Sequence, residues 1–196
     1  MIKIIHRINT REDLLNIPTK YGVEVDIRSA DDKLIISHDP FIQGEDFMDW
    51  MALYKHEILI LNVKEEGLED RLIAVMANFK VDNFFFLDQS FPFLLKTSGQ
   101  GESRSAVRVS EFEDVHTAMN LAGKVQWIWV DCFSKFPLSK QQADLLQTEG
   151  GFKLCFVSPE LQSRAGKGSI IDFRKRIEAR GIVGDAVCTK YPNLWE

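Results

Sequence analysis

Two histidines, two carboxylates one residue apart, an arginine and a lysine fall at the ends of short apolar runs within the first 64 residues. His6-Arg7 follows Ile2-Lys3-Ile4-Ile5, and Glu24-Val25-Asp26 lies in the run Val23 to Ile27. His38-Asp39 follows Leu34-Ile35-Ile36, and Asn62-Val63-Lys64 follows Ile58 to Leu61. Such a set can hold a metal and a phosphate and move protons between them. Arginine offers phosphate oxygens a planar fork and lysine a point charge. Two histidines can serve as acid and base at neutral pH, because imidazole titrates near about 6.5.

For these groups to meet, the runs that carry them must be neighbouring strands. Each has the length and β-branched content of a short strand. In a sequential β/α fold their carboxyl ends form the rim where ligands bind. Strand-like runs continue to the end of the chain: Asn83 to Leu87, Ala106 to Val109, Val125 to Val130, Phe152 to Val157 and Ala186 to Cys188. Helical patterns lie between them over Leu68 to Phe79, Val115 to Leu121, Lys140 to Leu146 and Ile170 to Ile182. Gly22, Gly123, Gly150 and Gly181 stand where helices would close. With Val23 to Ile27 and Leu34 to Ser37 joined as a hairpin, only one of the pair is a barrel strand. The pattern then predicts a small single-domain (β/α)8 TIM barrel of the α/β class over residues 1–196. Its helical layer should be thin, with Pro40 to Lys55 and Pro92 to Arg104 reduced to loops. The competing open doubly wound sheet lacks a Gly-rich phosphate loop, since His6-Arg7-Ile8-Asn9-Thr10 contains no glycine.

Composition narrows the function. The 196 residues are 45% hydrophobic and 27% charged, with net charge −5 and pI near 5.5. No basic stripe exists to neutralise a nucleic-acid backbone, so no nucleic-acid partner is expected. No apolar run reaches the roughly 18 residues of a spanning helix, and no leader pattern opens the sequence. Membrane insertion is therefore not expected, and a cytoplasmic location is. Cys132, Cys155 and Cys188 are widely spaced and lie in or beside strands, which reads as reduced thiols rather than a zinc site. His56 and His116 have no motif around them and are expected at the surface.

The ordered pattern Ile-Ile-His-Arg, then Glu24-Val25-Asp26-Ile27-Arg28, then Ser37-His38-Asp39-Pro40 resembles the glycerophosphodiester phosphodiesterase family of PLC-like phosphodiesterase barrels. His6-Arg7, Glu24/Asp26, His38-Asp39 and Lys64 match its motifs residue by residue. The likeness is sharpest over residues 4–40 and fair over 58–64. Three positions depart from the family pattern. Ile8 replaces the glycine after His-Arg, Asn62 stands where a third metal carboxylate is usual, and Lys190 replaces a late aspartate. The short stretch between Asp39 and Lys64 also lacks the usual inserted subdomain.

The resemblance implies a metal-dependent phosphodiesterase acting on a small polar, glycerophosphodiester-like substrate. His6 and His38 would be the catalytic acid and base, and Arg7 and Lys64 would bind phosphate. Glu24 and Asp26, two apart on a strand and so facing one side, would ligate a divalent Mg2+ or Ca2+ ion together with Asn62. An amide in place of a carboxylate keeps an oxygen ligand but removes a charge, so weak metal binding is expected. Asp88, Arg108, Ser110, Asp131, Ser158, Glu160 and Lys190, at other strand ends, are lesser candidates, and Trp129 and Phe133 could wall a pocket. Two other functions fit: a non-catalytic phosphate- and metal-binding barrel, and a glycosyl phosphodiester-processing enzyme of surface polysaccharide synthesis. The paired histidines favour catalysis, because gripping phosphate needs no proton carriers.

Overall fold

Strands formed by the apolar runs are laid down from the first strand outward in both directions. The computed structural model describes residues 1–162 and 168–196. In chain order these comprise β1 (Ile2–Ile5), α1 (Arg11–Asn16), β2 (Gly22–Ala30), β3 (Lys33–Ile36), β4 (Glu45–Asp46), α2 (Phe47–Met51), β5 (Leu59–Val63) and α3 (Glu69–Phe79). There follow β6 (Phe84–Leu87), α4 (Phe91–Gly99), β7 (Ala106–Val109), α5 (Val115–Met119), β8 (Trp127–Val130), α6 (Lys140–Asp144), β9 (Lys153–Val157), α7 (Gly168–Ala179) and β10 (Ala186–Thr189). Among the described residues eight strands run parallel in the order β6-β5-β2-β1-β10-β9-β8-β7. The register sets Asp26 opposite Asn62 and Ile2 opposite Ala186. The result is a curled parallel sheet whose edges, β6 and β7, meet at a parallel bridge between Phe86 and Ser105. Backbone N–H of Phe86 donates to the Arg104 carbonyl at 2.9 Å there. No continuous ladder joins these two edges among the described residues.

The period-two pleat decides what each strand shows to the inside of the curl. Ile4, Ile60, Phe85, Trp127, Trp129, Cys155 and Cys188 pack together there, with the Phe85 and Trp127 rings stacked 4.7 Å apart. Alternate residues such as Val25, Leu59, Leu61 and Val63 join α2 and α3 in an outer core. A second outer core packs α5, α6 and α7 against β7 to β10. Continuing the same inward face toward the carboxyl ends turns the series polar. Ile60 leads to Asn62 and Lys64, Ala106 to Arg108, and Trp129 to Asp131. The rim charges thus sit directly on an apolar plug, which fixes their height and limits water beneath them.

The β2–β3 hairpin forms as expected, antiparallel from Ile27 opposite Ile36 to Ala30 opposite Lys33. Two segments expected to be loops carry structure. Residues 92–104 begin in α4, where Pro92 occupies the first turn, a place that needs no N–H. Residues 40–55 hold β4 and α2, whose Phe47, Trp50 and Met51 are buried. Gly22 does not end a helix; it opens β2, and a Cβ there would lie 2.4 Å from Ile58 Cγ2. The helix before it stops at Ile17 instead, just ahead of Pro18. The α6 helix is shorter than its pattern and passes into one π-type turn over Leu145–Glu149. His56 is buried rather than exposed, its Nε2–H donating to the Ile17 carbonyl at 3.0 Å. All three cysteines are buried, and none is disulfide-bonded. Among the described residues no helix is long and apolar enough to cross a membrane.

Candidate active site

The loop after β1 is stitched to β2 by its own polar atoms. Arg7 takes a left-handed backbone with φ 57°, which turns its N–H onto Glu24 Oε2 at 2.5 Å. Ile8 N–H then reaches the Glu24 carbonyl at 2.7 Å, and the Ile8 side chain drops into the outer core. Asn9 and Asp26 bond reciprocally: the Asn9 amide donates to Asp26 Oδ2 at 2.8 Å, and Asp26 N–H donates to Asn9 Oδ1 at 3.0 Å. The residue in place of the family glycine is therefore an anchor, and the turn itself is made by strained Arg7.

His38 enters from the hairpin. Its Nδ1 faces Asp39 Oδ1 at 2.7 Å, and the loop is fixed by Ser37 Oγ–H donating to the Asp39 carbonyl at 2.8 Å. Arg28 clamps both neighbouring strand ends. Its guanidinium donates to the His38 carbonyl at 3.0 and 3.3 Å and to the Lys64 carbonyl at 3.0 Å. The sequence reading gave Arg28 no such role, although its place two residues beyond Asp26 puts it on the same strand face.

His6, Arg7, Glu24, His38, Asn62 and Lys64 line a single cavity of about 270 Å³. Asp26, the seventh residue singled out from the sequence, is buried outside that lining, with Oδ2 3.4 Å from Arg7 Nε and Oδ1 3.3 Å from Lys64 Nζ. The opposite wall carries Asp88, Arg108, Trp129, Asp131 and Phe133, all noted as lesser candidates, and Gln162, which was missed. Lys64 also reaches Asp88 at 3.3 Å. Arg108 pairs with Asp88 and lies 3.3 Å from Asp131. Gln162 follows a strand end by several residues in a 3-10 turn, so no periodicity marks it. Ser158 and Thr189 are instead tied up around Glu160, which both hydroxyls contact.

Burial dominates the electrostatics. Glu24 is held up to about 7, first by burial and then by the neighbouring charge of Asp26, against the Asn62 amide and Arg7 N–H that favour its charged form. His6 is pushed down to about 4 by burial and by Arg7, with Asp26 opposing. The 3.8 Å approach of His6 Nε2 to Glu24 Oε2 is thus not an ion pair at neutral pH, because the imidazole is neutral. Asp131 is raised by burial despite Arg108 and Gln162.

A hard divalent cation calls for several oxygen donors. Among the described residues no three His, Cys, Asp or Glu side chains converge as a metal cluster; the candidates are two carboxylates and an amide. Asn62 Nδ2 donates to Glu24 Oε1 at 2.7 Å. Asn62 Oδ1 and Asp26 Oδ1 are buried with no hydrogen-bond partner. Asn62 Oδ1, left without a donor beside a carboxylate held near 7, fits a cation, while Asp26 Oδ1 already faces Lys64 Nζ at 3.3 Å.

No protein-family model matches the sequence, and a search of curated proteins finds no match. Solved structures match in fold. A glycerophosphodiester phosphodiesterase from Agrobacterium tumefaciens superposes with a TM-score of 0.68 at 13% identity, covering 100% of this chain and 99% of that one. A putative glycerophosphoryl diester phosphodiesterase from the same species gives 0.67 at 15% identity, covering 99% and 95%. The tryptophan synthase α-subunit of Pyrococcus furiosus gives 0.54 at 11% identity, covering 96% and 85%. The class so defined is an α/β protein built on a curled parallel sheet with its polar site at one rim. Within that class the fold is the one seen in glycerophosphodiester phosphodiesterases. A fold hosts many chemistries, so the reaction must be argued from the site.

Proposed function

We propose that the protein is a phosphodiesterase that hydrolyses a phosphodiester by histidine acid–base catalysis in the cavity at the rim of β1, β2 and β5, the sheet forming a TIM barrel. One observation carries this reading: two histidines from separate loops line one small cavity together with Arg7 and Lys64. The phosphate oxygens face the Arg7 fork and the Lys64 ammonium. Water attacks phosphorus and gives its proton to His6, which is neutral and so able to accept it. The bond from phosphorus to one alcohol breaks, and His38, held through Nδ1 by Asp39, protonates the leaving oxygen. Glu24, Asn62 and Asp26 would hold Mg2+ or Ca2+. A bound cation supplies charge stabilisation to the phosphoryl oxygens. The solved structures named for this activity support the reading through their shared fold.

The test is a panel of phosphodiesters, including glycerophosphodiesters and a chromogenic diester, assayed with and without Mg2+ or Ca2+. Turnover that disappears when both histidines are replaced is expected. Binding of phosphate compounds without turnover of any diester would instead establish the non-catalytic barrel.

A further inference from the structure

The sheet's own seam opens a second space beside the catalytic cavity. Past the Phe86–Ser105 bridge, β6 and β7 separate, and a cleft of about 660 Å³ runs between them toward α4 and α5. Leu87, Asp88 and Arg108 line both this cleft and the catalytic cavity, so the two adjoin across the Asp88–Arg108 pair. Phe112 at the cleft's lip is 81% exposed and packs its ring 5.9 Å from that of Phe133, which lines the catalytic cavity. The floor is apolar, made by buried Leu94, Val107 and Ala106. The charged groups of the lining are engaged within the protein, while Gln89 Oε1 has no hydrogen-bond partner among the described residues. Asp88 pairs with Arg108, Asp114 caps α5 by accepting from His116 N–H at 2.7 Å, and Glu113 accepts from the Ser110 hydroxyl at 2.6 Å. What the cleft offers a ligand is an apolar floor beneath a polar rim, in a volume typical of sites that enclose a sizeable organic group.

We infer that the cleft between β6 and β7 receives an apolar arm, an alkyl or aryl group, on one alcohol of the substrate while its phosphate sits between Arg7 and Lys64. The proposal deepens the phosphodiesterase reading and rests on it for the phosphate end. It makes the substrate amphiphilic, where a small polar diester would leave the larger cavity unused. Each fully buried methylene strengthens binding about fourfold, so chain length is the direct probe.

Calorimetric titration with n-butyl and n-octyl phosphate, both below their aggregation limits, should show the octyl compound binding roughly ten- to a hundredfold more tightly. Thr117→Trp, on the exposed cleft side of α5, should reduce that ratio to about threefold or less while leaving butyl phosphate affinity unchanged. Phe112→Ser should reduce it in part. The same ranking should appear as a falling KM across methyl to octyl p-nitrophenyl phosphodiesters. Equal affinity for the two phosphates, or an octyl preference that survives both substitutions, would overturn the cleft. Chain-length-dependent binding without turnover of any diester would uphold the cleft and overturn the phosphodiesterase reading, so the two failures are distinguishable.

Discussion

The two halves of the rim handle charge in opposite ways. On β1, β2 and β5, Glu24 is fully buried and held near 7, His6 is held near 4, and two buried polar atoms, His6 Nδ1 and Asn62 Oδ1, lack a hydrogen bond among the described residues. On β6, β7 and β8 the charges are consumed by one another: Arg108 meets Asp88, Asp131 and Glu113. Nearby Glu111 accepts the N–H groups of Lys135, Ser134 and Phe133, and these outweigh burial to pull it down to about 2. Charges left short of partners inside a fold are kept at a cost, and sites of chemistry are where that cost is met. Charges that pair completely hold structure. On the proposed reading, proton transfer belongs to the first half and framework to the second.

The largest expected effect is on rate. His6→Ala and His38→Ala should each lower kcat by about 10²–10⁴-fold with little change in the denaturation midpoint. A large loss of stability in either variant would erase the contrast between the halves. Next comes Arg108→Met, which strands buried Asp131 beside Asp88. Urea unfolding should show a loss of about 2–3 kcal/mol, below the usual figure for a broken buried pair because Arg108 is partly exposed. An unaltered midpoint would show that the second half is not framework.

The pH dependence of stability sharpens the comparison further. His6 falls from an ordinary 6.5 to about 4, so its contribution is full above pH 6.5 and is lost as pH falls toward 4. Glu24 rises from 4.5 to about 7, so its contribution is full below 4.5 and is lost as pH rises toward 7. The shifts are similar in size and opposite in sign, so the pair leaves stability nearly level across that range. Glu24→Gln removes one side of the balance. Thermal or urea unfolding of that variant should gain about 2–3 kcal/mol between pH 4 and 6.5. A profile as level as the parent's would refute the assignment. The smallest effect concerns the metal. Asn62→Glu should tighten Mg2+ binding by about tenfold, the usual scale of one added ligand charge or close partner. Glu24→Gln should abolish that gain in the same calorimetric titration; Mg2+ affinity indifferent to both substitutions would remove these residues from the metal site.

Much of this arrangement is legible in the amino-acid order, and the reason is the pleat. Ile60-Leu61-Asn62-Val63-Lys64 alternates between faces, so an inward apolar residue followed two places on by a polar one marks the rim without any structure. The hairpin was readable from the Asp31-Asp32-Lys33 break. What escaped was whatever depends on distant parts of the chain. Pro92 looks like a helix breaker until its position in a first turn is known. His56 has no local mark, because its carbonyl partner at Ile17 is 3.0 Å away in space and far in sequence. Arg28 reads as a rim charge that could pair with Glu24 or Asp26, yet it ties the His38 and Lys64 carbonyls together. The β6–β7 seam is invisible for the same reason: both strands are ordinary apolar runs, and only their divergence creates the cleft.

The pairing of β1 with β10 sets the order in which the protein can become complete. Ile2 lies opposite Ala186 and Ile5 opposite Thr189, His6 N–H donates to the Thr189 carbonyl at 3.1 Å, and Lys190 contributes to the depressed pKa of His6. Contacts that span so much sequence close slowly and late. On a ribosome the segment through β5 and β6 would emerge with its carboxylates on their strands, but β1 would have an open edge, and His6 N–H no carbonyl to meet, until β10 arrived. β10, made long after β1, is thus the strand that seats His6.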